Sequence, residues 1–310
     1  MRVVVLMSTY QGARYVVEQL RSILDQLPPG GRIVVRDDGS TDGTPDTILA
    51  LGDGRITLTR GPNIGFARSF LTLLAEAPED ADMVMLADQD DVWLPHKIQR
   101  AWDHLAPLAG VPALYCSRLQ LVDAQLQPLG LTPLRKRPPS FQNALAENIV
   151  TGCTAAMNVL AVRLIRQCGD PALIHFHDWW CYLVVAAFGK VVYDPEPTVL
   201  YRQHGGNVIG MGSGLGRYWA NIKFIRKTSW VQIMYRQIAV FLHVHQSNLS
   251  SAQRAWIARY FSPTSSMSVA RLLGSPDCFQ QSVLGGVLFR LMMVGEIIAG
   301  RRLAPTVQIK

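Results

Sequence analysis

The apolar run Met83-Val84-Met85-Leu86-Ala87 ends in Asp88-Gln89-Asp90-Asp91, with Val92, Trp93 and Pro95 just beyond. Hard carboxylate oxygens gathered this closely suit Mg²⁺ or Mn²⁺ held together with the phosphates of a substrate. A second acidic segment, Asp37-Asp38-Gly39-Ser40-Thr41-Asp42-Gly43-Thr44, leaves the strand-like run Arg32-Ile33-Val34-Val35-Arg36 in the same way. Polar side chains return at His175-Phe176-His177-Asp178-Trp179-Trp180 and at Tyr201-Arg202-Gln203-His204. Each stretch also has a plain structural use: Asp and Ser cap turns and helix starts, and tandem tryptophans fill cores. One acidic loop would be evenly balanced between the two uses. Two of them, each closing a buried run, favour chemistry.

The elements that must position these residues alternate. Residues 3–7 read as a buried strand, and Ser8-Thr9-Tyr10-Gln11-Gly12 as the loop leaving it. Tyr15, Val16, Gln19, Leu20, Ile23 and Leu24 then recur at helical spacing until Pro28-Pro29-Gly30-Gly31 stops the segment. Strands follow at 32–36, 55–59 and 83–87, separated by helices around Ile48 and over 66–74, with another helix after Pro95. A βαβαβαβ order predicts a parallel sheet with right-handed crossovers, so that the acidic loops share one edge. Ligands bind at that edge in open α/β sheets. Neither G-x-G-x-x-G nor G-x-x-x-x-G-K-[ST] occurs where a dinucleotide or P-loop site needs it. Past Trp102 the pattern predicts short strands at 114–117 and 119–122, a mobile basic loop at Arg135-Lys136-Arg137-Pro138-Pro139, and a helix over 141–148. It then predicts a strand over 149–157, a helix over 160–168, an apolar helix ending at Phe188 and a strand over 190–193.

At 310 residues, 49% hydrophobic and 17% charged, the chain is globular and can bury a large core. Five scattered cysteines with no C-x-x-C pair indicate neither a disulfide framework nor a zinc site. A reducing compartment is expected, and the N-terminus reads as a strand and not as a signal peptide, which places the chain in the cytoplasm. The net charge of +7 is uneven: residues 1–210 carry 18 Lys+Arg against 21 Asp+Glu, and residues 211–310 carry 12 against 2. The acidic first part argues against a nucleic-acid-coating protein, while the basic end calls for its own partner.

A glycine-rich hinge, Gly210-Met211-Gly212-Ser213-Gly214-Leu215-Gly216, divides the chain into 1–209 and a mostly helical extension over 210–310. Trp219, Ile222, Phe224, Trp230 and Ile233 stand there among basic residues. That mixture suits an anionic membrane surface, which would put the protein on the cytoplasmic face of the inner membrane, or else a homo-oligomer contact. The apolar run 282–300 includes Arg290, Glu296 and four glycines, which argues for surface attachment and against a span.

With these stretches placed, the chain resembles the family 2 glycosyltransferases. Thr9-Tyr10, Asp37–Thr44, Asn63-Ile64-Gly65, Asp88–Asp91, Gly152-Cys153-Thr154, His177–Trp180 and Tyr201–His204 carry the likeness, in the right order, over about residues 1–208. The D-Q-D-D-V-W form is most like bacterial rhamnosyltransferases acting on polysaccharide precursors. Gln11 stands where relatives often have Asn.

The resemblance implies the glycosyltransferase A fold: a Rossmann-like, mostly parallel α/β sheet flanked by helices, here with a helical C-terminal extension. It implies inversion at the anomeric carbon and a divalent cofactor, Mg²⁺ or Mn²⁺. By the same resemblance, Asp37 and above all Asp38 read base and ribose, Asp88 meets the ribose, and Asp90 ligates the metal with Asp91 assisting. His204 adds a further metal or diphosphate contact. Thr9, Tyr10, Gln89, Asn63, Gly65, Arg68 and Gly152 line the donor, and Asp178 is the general base. Trp93, Trp179 and Trp180 are the aromatic candidates for a sugar platform.

The implied reaction moves a deoxyhexose, L-rhamnose from a dTDP donor, to a hydroxyl of a polysaccharide or lipid-linked acceptor. Carboxylates and a metal do not by themselves specify which bond breaks. A metal-dependent nucleotidyltransferase and a non-catalytic sugar-nucleotide-binding protein therefore stand as the alternative readings.

Overall fold

The computed structural model describes residues 1–203, 230–261 and 280–298. Strands β1 (Val3–Thr9), β2 (Arg32–Asp37), β3 (Ile56–Arg60) and β4 (Met83–Ala87) pair in parallel in the order β3-β2-β1-β4. Helices α1 (Val16–Leu24), α2 (Thr44–Leu49) and α3 (Phe66–Glu76) connect them. β1 and β4 are apolar at nearly every position because helices cover both faces of a parallel sheet, and both are buried almost throughout. The carboxyl ends of β2 and β4 bring the two acidic loops to one edge, as the alternation predicted.

Past β4 the sheet becomes mixed. β5 (Val92–Trp93), α4 (Lys97–Leu105), β6 (Ala113–Val122), β7 (Pro128–Leu131), α5 (Phe141–Ala144), β8 (Ala156–Met157), α6 (Val159–Ile165), α7 (His177–Phe188) and β9 (Lys190–Arg202) follow in turn. β8 lies antiparallel between β4 and β6, and β6 runs parallel to β9, giving the continuation β4-β8-β6-β9-β5 with β7 beside β6. Two expectations are corrected here. The short strands expected at 114–117 and 119–122 are one strand, whose pairing with β9 shifts register between Ser117 and Arg118. The strand expected over 149–157 is reduced to β8 at Ala156–Met157, preceded by a tight 3₁₀ turn, Gly152–Thr154, in which the Thr154 N–H and hydroxyl donate to the Thr151 carbonyl at 2.8 and 2.7 Å.

Two apolar clusters sandwich the sheet. One joins α1 and α4 to the sheet, and the other is built on α3, α6 and α7. The second also takes in Val231, Met234, Ile238 and Phe241 of the helix Trp230–His245 and Phe289 and Met293 of the helix Val283–Ile298. The hinge expected at 210–216, the division at 209/210 and His204 lie outside the described residues.

Candidate active site

The carboxyl ends of β1, β2 and β4 open into a cleft of about 500 Å³. Asp38, Asn63, Gly65, Asp88, Gln89, Asp90, Gly152 and Asp178 all line it, with Tyr10 at the rim, so four separate loops and a helix start deliver their polar groups to one space.

The nucleotide side is built from β2 outward. Asp38 is 2% exposed, and its two carboxylate oxygens accept the backbone N–H groups of Ile64 and Gly65, each at 2.9 Å. Arg36 pairs with Asp38 and donates to the Pro62 carbonyl at 3.1 Å. The Asn63–Gly65 loop is thus stapled to the end of β2, with Gly65 at a φ of 84° that an L side chain would strain.

Asp37 behaves differently from the expectation that it contacts the donor. It accepts from the Thr9 hydroxyl at 2.8 Å and from the Ser40 N–H at 2.8 Å, and it does not line the cleft. Asp37 and the fully buried Thr9 therefore form the turn that holds Asp38 in place. Arg68 is exposed on α3 and lies outside the cleft lining.

Gln89 clamps the opposite rim. Its carbonyl accepts the Tyr10 N–H at 2.8 Å and its amide donates to the Tyr10 carbonyl at 2.9 Å. Gly12 makes this approach feasible, since a Cβ there would meet Gln89 Oε1 at 2.1 Å. The acid loop is anchored from beneath by a residue whose role the sequence did not disclose. Arg202, 2% exposed, donates from Nε to the Asp90 carbonyl at 2.9 Å and from Nη1 to the Ala124 carbonyl at 2.7 Å. Its backbone N–H reaches Asp91 Oδ1 at 3.2 Å, and its guanidinium also pairs with Glu18 and lies 4.5 Å over the Tyr15 ring.

The electrostatics separate the three carboxylates of that loop. Burial, then the charges of Asp90 and Asp178, push Asp88 up to about 7. The hard oxygens of these three groups, gathered in the cleft, fit a divalent ion such as Mg²⁺ or Mn²⁺.

Asp91 does not join them. It is 1% exposed and outside the cleft lining, and its Oδ2 is buried with no hydrogen-bond partner among the described residues. Burial holds it well above the usual carboxylate range. It forms with Asp88 and Cys153 a cluster whose ligand atoms lie within 4.8 Å of one another. Burial and the two carboxylates keep the Cys153 thiol protonated, which makes that cluster a poor seat for a hard cation. The metal reading therefore moves from Asp90 and Asp91 to Asp90 and Asp88.

Relief of this crowding gives a first prediction. The folded protein holds Asp88 near 7 against 3.8 in the unfolded chain, so ionisation opposes folding, fully above pH 7 and not at all below pH 4. Asp88→Asn is expected to raise the melting temperature of the metal-free protein at pH 8 by several degrees. The gain should shrink as pH falls towards 4, and calorimetry across that range checks it.

Asp178 stands in the first turn of α7. Burial raises it to about 6, against the pull of the N–H groups of Trp179 and Gly152 and the side chain of Asn148. The 3₁₀ turn at Gly152 makes this contact, and a Cβ on Gly152 would meet His177 Nε2 at 2.8 Å. A carboxylate poised about two units above its ordinary value and facing a cleft is well placed to take a proton near neutrality.

The tryptophan platforms are not borne out by the geometry. Trp179 and Trp180 are 1% and 0% exposed, with indole N–H groups donating to the Ala144 carbonyl at 2.7 Å and the Ile165 carbonyl at 3.0 Å. Trp93 is 2% exposed beneath the acid loop, where the buried Lys97 ammonium lies 4.7 Å from its ring centroid. The aromatic wall of the cleft comes instead from Phe66, Phe176 and Trp230, the last stacked on Trp179 at 5.1 Å. Arg135 also lines the cleft, ion-paired with Glu147 at 3.2 Å, so the basic loop is part of the site.

Residues 4–115, which carry both acidic loops, match the family model Glycosyl transferase family 2. Over this stretch the chain is similar to that family. It is 26% identical over 255 residues to the dTDP-rhamnosyl transferase RfbG of Shigella flexneri, covering 75% of this chain and 83% of that one. It is 29% identical over 219 residues to an uncharacterized glycosyltransferase of Nostoc sp., covering 67% and 66% of the two chains. Its fold is that of S. aureus TarS 1–349 crystallised with UDP, with a TM-score of 0.58 at 13% identity over 97% of this chain and 83% of the other. The expected glycosyltransferase A architecture with added C-terminal helices thus holds.

Proposed function

We propose that this glycosyltransferase is inverting and metal-dependent, and that it moves L-rhamnose from dTDP-L-rhamnose to a hydroxyl of a polysaccharide or lipid-linked precursor. The observation that carries the reading is the convergence of Asp38, Asp88, Asp90 and Asp178 on one cleft. RfbG, named for dTDP-rhamnosyl transfer, supports the sugar, and TarS, crystallised with UDP, supports a nucleotide-linked donor. The wall of Phe66, Val150, Phe176 and Trp230 agrees with the methyl group of a 6-deoxyhexose, which buries favourably against apolar side chains.

In this reading Asp38 and the Asn63–Gly65 loop orient the nucleoside, and Asp88 and Asp90 would hold the metal. A divalent ion there would neutralise the charge that develops on the departing diphosphate. Asp178 takes the proton of the acceptor hydroxyl while the new C1–O bond forms on the face opposite the breaking one. The diphosphate leaves with its bonding pair, and the anomeric configuration inverts.

Thermal shift with dTDP-L-rhamnose, UDP-GlcNAc and GDP-mannose, each with Mn²⁺ or with EDTA, tests the donor and the metal together. Saturating dTDP-L-rhamnose plus Mn²⁺ should stabilise most, by about 2.7 kcal/mol at a hundred times Kd, and EDTA should abolish the shift. Greater protection by another sugar nucleotide would reassign the sugar, and full protection in EDTA would remove the role of Asp90. Release of dTDP during turnover fits sugar transfer, and release of pyrophosphate would indicate nucleotidyl transfer instead.

A further inference from the structure

The helix Val283–Ile298 is apolar nearly all round, yet among the described residues only one side of it is covered. Phe289 and Met293 are buried in the core, where the Tyr235 hydroxyl contacts Met293 Sδ at 3.1 Å. On the other side Val283, Leu284, Val287, Leu288 and Leu291 are 70%, 69%, 44%, 47% and 54% exposed. That spacing lines them up along one stripe. Aliphatic residues scattered singly on a surface need no explanation, but a contiguous stripe of five marks an interaction surface.

The start of this helix is fastened to the basic triplet Arg135-Lys136-Arg137. The Arg137 N–H donates to Gln281 Oε1 at 3.0 Å, its guanidinium donates to the Gln280 carbonyl at 3.1 Å, and Gln281 Nε2 donates to the Arg137 carbonyl at 3.1 Å. Lys136 is exposed, and so is Leu134 just before the triplet, at 47%.

We propose that this face docks on an anionic lipid bilayer, with the stripe entering the headgroup–acyl boundary and the basic triplet meeting lipid phosphates. Charge selects this occupant over a second copy of the chain. Arg135, Lys136 and Arg137 stand beside the start of the helix, and a two-fold contact through this face would set each basic triplet against its own copy. An anionic bilayer attracts the same residues. The helix lies along the surface and does not cross it: its 16 residues span about 24 Å against a hydrocarbon core of about 30 Å. Among the described residues no helix is long and apolar enough to span.

The face also adjoins the chemistry. Arg135 lines the cleft two residues before Arg137, so at most about 7 Å of backbone separates the cleft wall from the docked edge. A saccharide tethered in the bilayer would be presented at the cleft mouth. The inference does not depend on which sugar is transferred.

Flotation of the full chain with phosphatidylcholine vesicles, plain or carrying about one third phosphatidylglycerol, tests it. Binding should require phosphatidylglycerol and weaken with salt. Leu284→Asp combined with Leu288→Asp should lower the bound fraction by about tenfold or more while leaving the melting temperature unchanged. Lys136→Glu, outside the helix, should weaken binding and flatten its salt dependence. The proposal is overturned if the double variant floats like the parent, if the parent binds neither vesicle, or if sedimentation finds a dimer that the double variant dissociates.

Discussion

Asp178→Asn is expected to lower kcat by about 10²–10⁴-fold, the usual contribution of a positioned general base. An acceptor hydroxyl is a weak nucleophile and gains from losing its proton as it attacks. Asparagine keeps the shape at the start of α7 and can still accept the Trp179 N–H, which Asp178 now takes at 2.7 Å, but it cannot accept the proton. Donor and metal binding rest on Asp38, Asp88 and Asp90 and should survive, so the loss should fall on kcat and spare the donor Kd.

The pH profile supplies a second readout. The base acts only when ionised, and burial has raised Asp178 to about 6. The parent's kcat/KM should therefore be level above pH 7 and fall about tenfold per unit below pH 6. Residual activity in the variant should lack that limb. Near-parental kcat with a true acceptor would return Asp178 to the role of a helix-terminal carboxylate.

The carboxylates were legible in the sequence because a buried strand is an unbroken apolar run, and the abrupt acids after Val34-Val35 and Leu86-Ala87 mark where it emerges. Topology then brings those ends together without further information. Residue type alone did not say which acid of a pair faces the cleft. Asp37 and Asp38 are neighbours, yet one is consumed by Thr9 and Ser40 while the other lines the site. Asp90 and Asp91 divide in the same way.

The tryptophans misled because one side chain serves both as a sugar platform and as a core filler. Only packing decides between these uses, and here Trp179 and Trp180 anchor α7 while Trp230, at the start of the helix Trp230–His245, reaches the cleft. Strand β6 looked like two strands because Arg118 interrupts its apolar pattern where the register with β9 shifts.

Arg202 was invisible for another reason. A lone arginine after an apolar strand reads as surface charge, and nothing local reveals that its fork reaches the Asp90 carbonyl 112 positions away. Its replacement carries the second large expected effect. Arg202→Met would leave the Asp90 and Ala124 carbonyls without these buried donors, at a cost of about 1–3 kcal/mol each. Glu18 is half exposed and rehydrates, so its lost ion pair adds little. Denaturant melts should register the sum.

Arg202→Lys separates positioning from folding. A lysine keeps the charge and the contact over Tyr15 but cannot donate to two carbonyls and a carboxylate in one plane. The acid loop then loses the brace that fixes where Asp90 points. Residues that brace a metal ligand from behind are worth about 10–100-fold in metal affinity, so Mn²⁺ binding measured by calorimetry in the presence of dTDP should weaken by that factor. The Asp178-dependent limb of the pH profile should stay in place. An Arg202→Lys protein that binds Mn²⁺ as tightly as the parent would show that the acid loop holds its shape unaided.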